Sequence, residues 1–471
     1  MITDVRTPQS RCRFALAWAD ITPPPNIYHR MWGAAKHERA TGIHRPLRCT
    51  VAIFAPMEGK EKQVVLALDH CTLGAVEHRQ LVERAASLGG VAAEEIIVIF
   101  SHTHGAGLMG LDRANLPGGD LIPGYLQSIG ERAGELIAQC VAQLAPTTIV
   151  YGQGRCNLAT HRDAWDEASA QFVCGFNPGV PADDTVIVAR ATNDSGEVIA
   201  TIVNYACHPT TLAWDNTLIS PDYVGGMREV IELETHAPCL FLLGACGELG
   251  PREGFVGDTA VADRNGRELG FAALSALTAL PTPNTHFVYS GPVVSGATLG
   301  AWKHSPLTAS DAWKLTRWHE PLAYRPGQPT AEQTQAELDQ FQADEATARA
   351  AGDEDRAADL RAMAERKTRL LHRLAQLPSG DTFPLQVALW HLGDAVWIGV
   401  QGESYNLLQT ELRRRFPNKT IIVASLAADW GASYLPPREL YDQTIYQVNI
   451  AVVAEGSLEQ LIESIAERIT G

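Results

Sequence analysis

The feature that most constrains the fold is a change of periodicity between residues 50 and 100. An apolar segment, TVAIFAP, is followed by the charged turn MEGKEK, a second apolar segment QVVLALDHC, the amphipathic stretch VEHRQLVERAASLG and a third apolar segment EEIIVIFSHTH. Short apolar runs bounded by turns fit buried strands, and the stretch between the last two repeats its apolar positions at helical spacing. Strands alternating with helices predict an α/β core. The pattern continues through the helix GYLQSIGERAGELIAQCVAQL, the strands TVIVARAT and EVIATIVNYACHP, a helix near 223–234, the strand CLFLLGAC and a helix within ADRNGRELGFAALSALTAL.

After residue 300 the composition changes. Residues 331–377 are rich in Ala, Glu, Gln and Arg with a break at AAGDED, which predicts a long helical hairpin. Strand-like sequence returns in LQVALWHLGDAVWIGVQGE and TIIVASLA. The core therefore resumes, and the expectation is one domain over 1–471 with a helical insertion at 330–378, a candidate for dimerisation or for closing over a site.

The 471 residues are 45% hydrophobic and 20% charged, a globular composition, and the formal net charge is -16 with no basic face, which excludes a nucleic-acid partner. The N-terminal sequence lacks the apolar core of a secretory signal, and no apolar run reaches the roughly 18 residues of a membrane span. These point to a cytoplasmic protein. The nine cysteines are odd in number and form no C-x-x-C pair, which argues against a disulfide framework or a zinc ribbon and for small buried hydrophobes.

Three apolar strands end in groups that bind metals. In SHTHGAG, alternation along a strand would put His102 and His104 on one face, and the glycines would let the backbone approach a bound group. That motif alone is equally compatible with one core and one surface histidine. His208 ends a second strand in NYACHPTTL, and Glu403 follows a third in AVWIGVQGESY, where an unpaired buried carboxylate would be costly. Recurrence at three strand ends favours a metal site, and imidazole plus carboxylate favours Zn2+ over magnesium or calcium. Tyr434, Tyr441 and Tyr446 read as ordinary packing, and Glu248 as a solvated turn residue.

Together these segments resemble the catalytic domain of the neutral, or non-lysosomal, ceramidases. WADITPP is similar to the family's A-D-I-T opening, LALDHC to its strand ending in Asp-Ala-Cys, and SHTHGAG to T-H-T-H-x-G-P-G. HRDAWDEASAQFVCGFNP, NYACHPTTL, LISPDYVGG, GACGELGP, QGESY and SYLPPRELYDQTIYQ match later family segments in the same order, over roughly 15–300 and 385–450. The resemblance implies an α/β fold of central mixed β-sheets flanked by helices, and a zinc-dependent amidase. It implies His102, His208, Glu403 and Tyr434 as zinc ligands, and His104, Arg162 and Tyr446 as catalytic or substrate-facing groups.

Departures from the family bear on the substrate. Where its active-site serine stands in D-V-S-P, this chain has Gly250, and HTHGAGL departs from its glycine-proline turn. The β-sandwich that follows the family's catalytic domain is not expected. The reading is therefore a divergent zinc hydrolase cleaving an amide bond of a small or N-acylated substrate, not ceramide. A metal would polarise the carbonyl and acidify water without a serine, with His104 as general base or acid and Arg162 and Tyr446 holding the oxyanion or a substrate carboxylate. The alternatives are a catalytically altered ligand-binding protein and a zinc esterase or lactonase. Other H-x-H hydrolases fit less well: metallo-β-lactamases expect H-x-H-x-D-H, and the amidohydrolase barrel places H-x-H on its first strand.

Overall fold

Strand Arg48–Ala55 shows how the sequence pattern becomes layers. Val51 and Ile53 point to one side and Ala52 and Phe54 to the other, and all four are fully buried. A strand alternates its side chains between two faces, so a strand apolar on both must be covered on both. The computed structural model describes residues 2–470, and both faces are indeed covered.

The large sheet has eight strands in the order Cys239–Leu243, Val198–Tyr205, Thr185–Asn193, Ala145–Arg155, Gln9–Asp20, Arg48–Ala55, Gln63–Leu68 and Ile96–Phe100. Its two end pairs are parallel and the rest antiparallel. Four helices cover one face, paired as Ala75–Gly89 with Ile122–Gln143 and Tyr223–Thr235 with Thr259–Thr278. The opposite face packs on a four-stranded sheet, ordered Trp313–Ala323, Thr382–Leu392, Ala395–Val400 and Thr420–Ala424. Aromatic rings fill that interface: Trp390 and Trp397 stack 5.7 Å apart, and Phe54 lies 5.0 Å from Trp397. Beyond the small sheet lie helices Leu407–Arg415 and Ser457–Thr470, the latter burying Leu458, Leu461, Ile462, Ile465 and Ile469 at helical spacing. The α/β architecture with mixed sheets flanked by helices is the one expected.

The large sheet curls until its outer strands, Ile96–Phe100 and Cys239–Leu243, lie against each other. No ladder joins them; segment 425–428 does, with Ser425 N–H donating to Leu243 O and Ala428 N–H to Val98 O, each at 2.8 Å. This brings the ends of strands far apart in the sheet order into one place.

The helical arm consists of Ala331–Ala350 and Glu354–Gln376, each started by a side-chain cap, Thr330 and Asp353. It emerges between Ala323 and Thr382, which are partners in the small sheet. Its second helix docks on the rest of the chain: Ala75 N–H donates to Gln376 Oε1 at 2.6 Å, and Arg113 Nη1 to Glu365 Oε2 at 2.8 Å. All nine cysteines are free, eight of them buried and Cys174 exposed. No helix among the described residues is long and apolar enough to cross a membrane.

One local expectation is corrected. The strand containing IIVIF ends at Phe100, and His102 has φ of 66°, in the left-handed region. The backbone turns because Ser101 N–H and His102 N–H are claimed by Leu68 O and His70 O, both at 2.9 Å.

Candidate metal centre

His102 follows the edge strand Ile96–Phe100, His208 follows Val198–Tyr205, and Glu403 follows Ala395–Val400 in the other sheet. Their side chains meet. His208 Nε2 lies 3.1 Å and His102 Nε2 3.4 Å from the same oxygen, Glu403 Oε2, and all three residues are buried. Glu403 reaches this point through Gly402 at φ of 84°, where a Cβ would stand 2.8 Å from Ser433 O.

The outer nitrogens of both rings are spoken for. His102 Nδ1 is 2.7 Å from Cys71 O, and His208 Nδ1 is 2.7 Å from Cys246 O and 3.0 Å from Leu249 O. A carbonyl only accepts, so each Nδ1 carries its ring's proton, and in the neutral ring each Nε2 presents a lone pair. Two lone pairs then face a carboxylate oxygen in a buried site, an arrangement that calls for a cation among them. The donor set fits a borderline metal such as zinc. Without one, the cluster shares a proton unevenly. Burial opposes charge on His102, but the neighbouring Cys71 and Glu403 side chains carry its pKa well above the ordinary value. Burial and the Arg162 cation hold His208 down to about 3. Burial opposes ionisation of Glu403, yet the two histidines keep it well below the usual carboxylate range.

Tyr434 pairs in register with Glu403 and its buried hydroxyl sits 3.5 Å from His208 Nε2. Arg162 is also buried; its Nη2 donates to Tyr434 Oη at 2.9 Å and to Gly247 O at 2.6 Å. His104 enters from the first turn after the loop, its Nε2 3.5 Å from His102 Nε2. Burial, followed by repulsion from His102 and His208, sets its pKa well below the ordinary value. Tyr446, the first residue of a short helix, lies at the rim with 45% exposure, its ring 5.9 Å from that of Tyr434.

The seven residues singled out from the sequence thus fall in one neighbourhood, though not by the route expected. His102 and His104 share a site through a turn rather than strand alternation, and their rings stand 5.0 Å apart and perpendicular. The glycines after them serve the protein's own packing: a Cβ on Gly107, φ 77°, would meet His29 Cα at 2.9 Å. The hydroxyl of Tyr434 is inside, not at the surface. Glu248 is no solvated turn residue: it is buried, both its oxygens accept from Asn406 N–H at 3.0 and 2.9 Å, and burial raises its pKa to about 8.

Other contributors are not evident from the sequence pattern. Trp430 Nε1 donates to Glu403 Oε1 at 3.0 Å, fixing the carboxylate's second oxygen, and the Arg373 guanidinium lies 4.0 Å over the Trp430 ring. Trp32 packs 4.9 Å from the His104 ring and is flanked edge-on by Trp214 and Phe255. The tryptophan inside AADWGASY, between a strand end and Tyr434, was the available signal for Trp430. Arg373 had none, because an arginine in a charged helix reads as solvated.

At Gly250 a Cβ would meet only Thr210 Oγ1 at 3.7 Å and Arg162 Cδ at 3.8 Å, so the absence of a side chain beside Arg162 is not forced by crowding.

No curated protein matches the sequence. The neutral ceramidase from Pseudomonas aeruginosa is similar in structure, with a TM-score of 0.63 at 16% identity over 98% of this chain and 74% of that one. A ceramidase complexed with C2 gives a TM-score of 0.65 at 16% identity, over 99% of this chain and 76% of the other. The family model described as "neutral/alkaline non-lysosomal ceramidase, N-terminal" matches residues 14–240. That match bears out, over residues 14–240, the resemblance carried by the motifs, and the two solved ceramidases share the fold.

Proposed function

We propose that this protein is a zinc-dependent amidase acting on a small or N-acylated substrate other than ceramide. The match of residues 14–240 to the ceramidase family model supports an amide-bond hydrolase in general. The observation that carries the metal reading is the convergence of His208 Nε2 and His102 Nε2 on one oxygen of Glu403, at 3.1 and 3.4 Å, with both Nδ1 atoms facing carbonyls. Tyr434 is the fourth donor. A zinc ion held by these groups supplies Lewis-acid polarisation of a carbonyl and lowers the pKa of water from 15.7 toward 7.

The chain's own residues carry the rest. In amide hydrolysis the oxygen of water joins the acyl carbon, the C–N bond breaks, and a proton is delivered to the leaving nitrogen. His104 Nε2 is the group that takes the water's proton and returns it to that nitrogen; its depressed pKa keeps it an unprotonated base at neutral pH. Arg162 polarises the Tyr434 hydroxyl and places positive charge where negative charge develops. Tyr446 orients the substrate at the rim. We further propose that residues 1–471 act as one catalytic domain with 330–378 inserted, working in the cytoplasm.

Gly250 in place of the family serine favours a second reading, a protein that binds an amide without turning it over. Elemental analysis with a panel of N-acyl amino acids, aryl amides and esters separates the two. Zinc-dependent release of amine supports the amidase, turnover of esters alone supports an esterase or lactonase, and bound metal with no turnover supports the binding protein.

A further inference from the structure

Among the described residues five arginines are buried: Arg30, Arg113, Arg162, Arg228 and Arg373. A buried guanidinium is costly unless a carboxylate or several acceptors compensate it. Three have their carboxylates: Arg30 is paired with Glu38, Arg113 with Glu365 and Arg228 with Asp69. The two without one are Arg162 and Arg373. Arg162 is occupied by Gly247 O and the Tyr434 hydroxyl. Arg373, at 7% exposure, donates through Nη1 to Ile450 O at 2.8 Å, and its buried Nε–H has no acceptor.

Its position is defined on two sides. The guanidinium carbon lies 4.0 Å over the ring of Trp430, the residue that holds Glu403, and its backbone acceptor Ile450 ends the short helix that Tyr446 begins. Tyr446, Glu403 and Tyr434 are the groups near enough to attract its charge, and Arg369 adds positive charge beside it. In a chain of net charge -16, the wall of the site next to Tyr446 is therefore locally cationic. With Nη1 committed to Ile450 O, the Nε–H that lacks an acceptor is the donor left for a carboxylate oxygen.

We propose that Arg373, brought to the site by the helical arm, binds a carboxylate on the substrate, so that the amide cleaved belongs to an N-acyl amino acid or a similar N-acylated carboxylate. This rests on the amidase reading and names its substrate class. The arm is then part of the substrate site, and Arg373 compensates the substrate's charge as Asp69 compensates Arg228.

The test uses matched pairs: an N-acyl amino acid and its primary carboxamide as substrates, and the ketomethylene analogues of both, in which CH2 replaces the amide NH, as non-cleavable ligands. The expected result is kcat/KM about 10- to 100-fold higher for the acid than for the carboxamide, with that ratio collapsing in Arg373→Met and only partly retained in Arg373→Lys. Calorimetric titration of the analogues into the full-length protein is expected to show the same acid preference and the same dependence on Arg373. Equal kcat/KM for the acid and the carboxamide in the unmodified protein would overturn the proposal even if Arg373→Met failed to fold. So would an acid preference that survives in Arg373→Met. If neither substrate is hydrolysed but the acid analogue binds in an Arg373-dependent way, the amidase reading falls and the carboxylate site stands.

Discussion

His208 Nε2 stands 3.1 Å from Glu403 Oε2, and with the ring proton on the Nδ1 side, next to Cys246 O, neither atom has a hydrogen to offer the other. That contact is the strongest argument for a cation at this point, and His102 Nε2 stands 3.4 Å from the same oxygen. Replacing the carboxylate while keeping its shape tests it: Glu403→Gln is expected to lower metal affinity by at least about 100-fold. Metal retained after dialysis against a graded chelator, measured by elemental analysis, gives the answer.

The indole N–H of Trp430 should matter through Glu403. Trp430→Phe removes the 3.0 Å hydrogen bond to Glu403 Oε1 while keeping an aromatic surface under Arg373. Partners that orient metal ligands typically contribute 10- to 100-fold in affinity or activity. A competition titration with a metal indicator is expected to show roughly a tenfold loss, and an unchanged affinity would remove Trp430 from the site.

Metal uptake should release a proton. In the metal-free site His102 is the protonated member, because its neighbours Cys71 and Glu403 raise its pKa despite burial. Protons therefore compete with the metal below that raised pKa, so affinity rises with pH and levels off above it. Calorimetry at pH 7 in two buffers of different ionisation enthalpy is expected to report about one proton released per metal bound.

Gly250→Ser should be tolerated. The nearest atoms to a Cβ there, Thr210 Oγ1 and Arg162 Cδ, are at ordinary contact distance. Because the proposed mechanism needs no serine, the variant is expected to keep its melting temperature within a few degrees and kcat/KM within about tenfold. A gain much larger than that would show the unmodified chain to be an impaired relative of a serine-dependent enzyme.

Stability should depend on a pair away from the chemistry. Asp69 accepts from Arg228 Nη1 at 2.5 Å and Nη2 at 3.0 Å, and also from Arg48 N–H, with both side chains buried. Removing one member leaves the other charge uncompensated, so Arg228→Met is expected to cost about 3–5 kcal/mol in urea unfolding.

Much of this was legible in the sequence because it depends on local pattern. Runs such as IIVIF and VWIGV announce strands, and polar residues just past them, His102, His208 and Glu403, announce a cleft at strand ends. What pattern could not supply is how distant segments close on one another. The strand Ile96–Phe100 stops before His102 because Leu68 and His70 capture the backbone that follows, a long-range event without a period. The curl that joins the two edges of the large sheet depends on segment 425–428, which reads as the end of a strand. Arg373 was hidden for the same reason: only the docking of the arm turns a charged-helix residue into a buried one.

The most direct measurement is zinc content and hydrolysis on the same preparations of the unmodified protein, His102→Ala and Glu403→Gln. One zinc per chain is expected in the first and little in the other two, with release of amine from an N-acyl amino acid that falls with the metal and returns only when the unmodified protein is reloaded. Full activity in His102→Ala with no detectable metal would contradict the zinc-dependent reading.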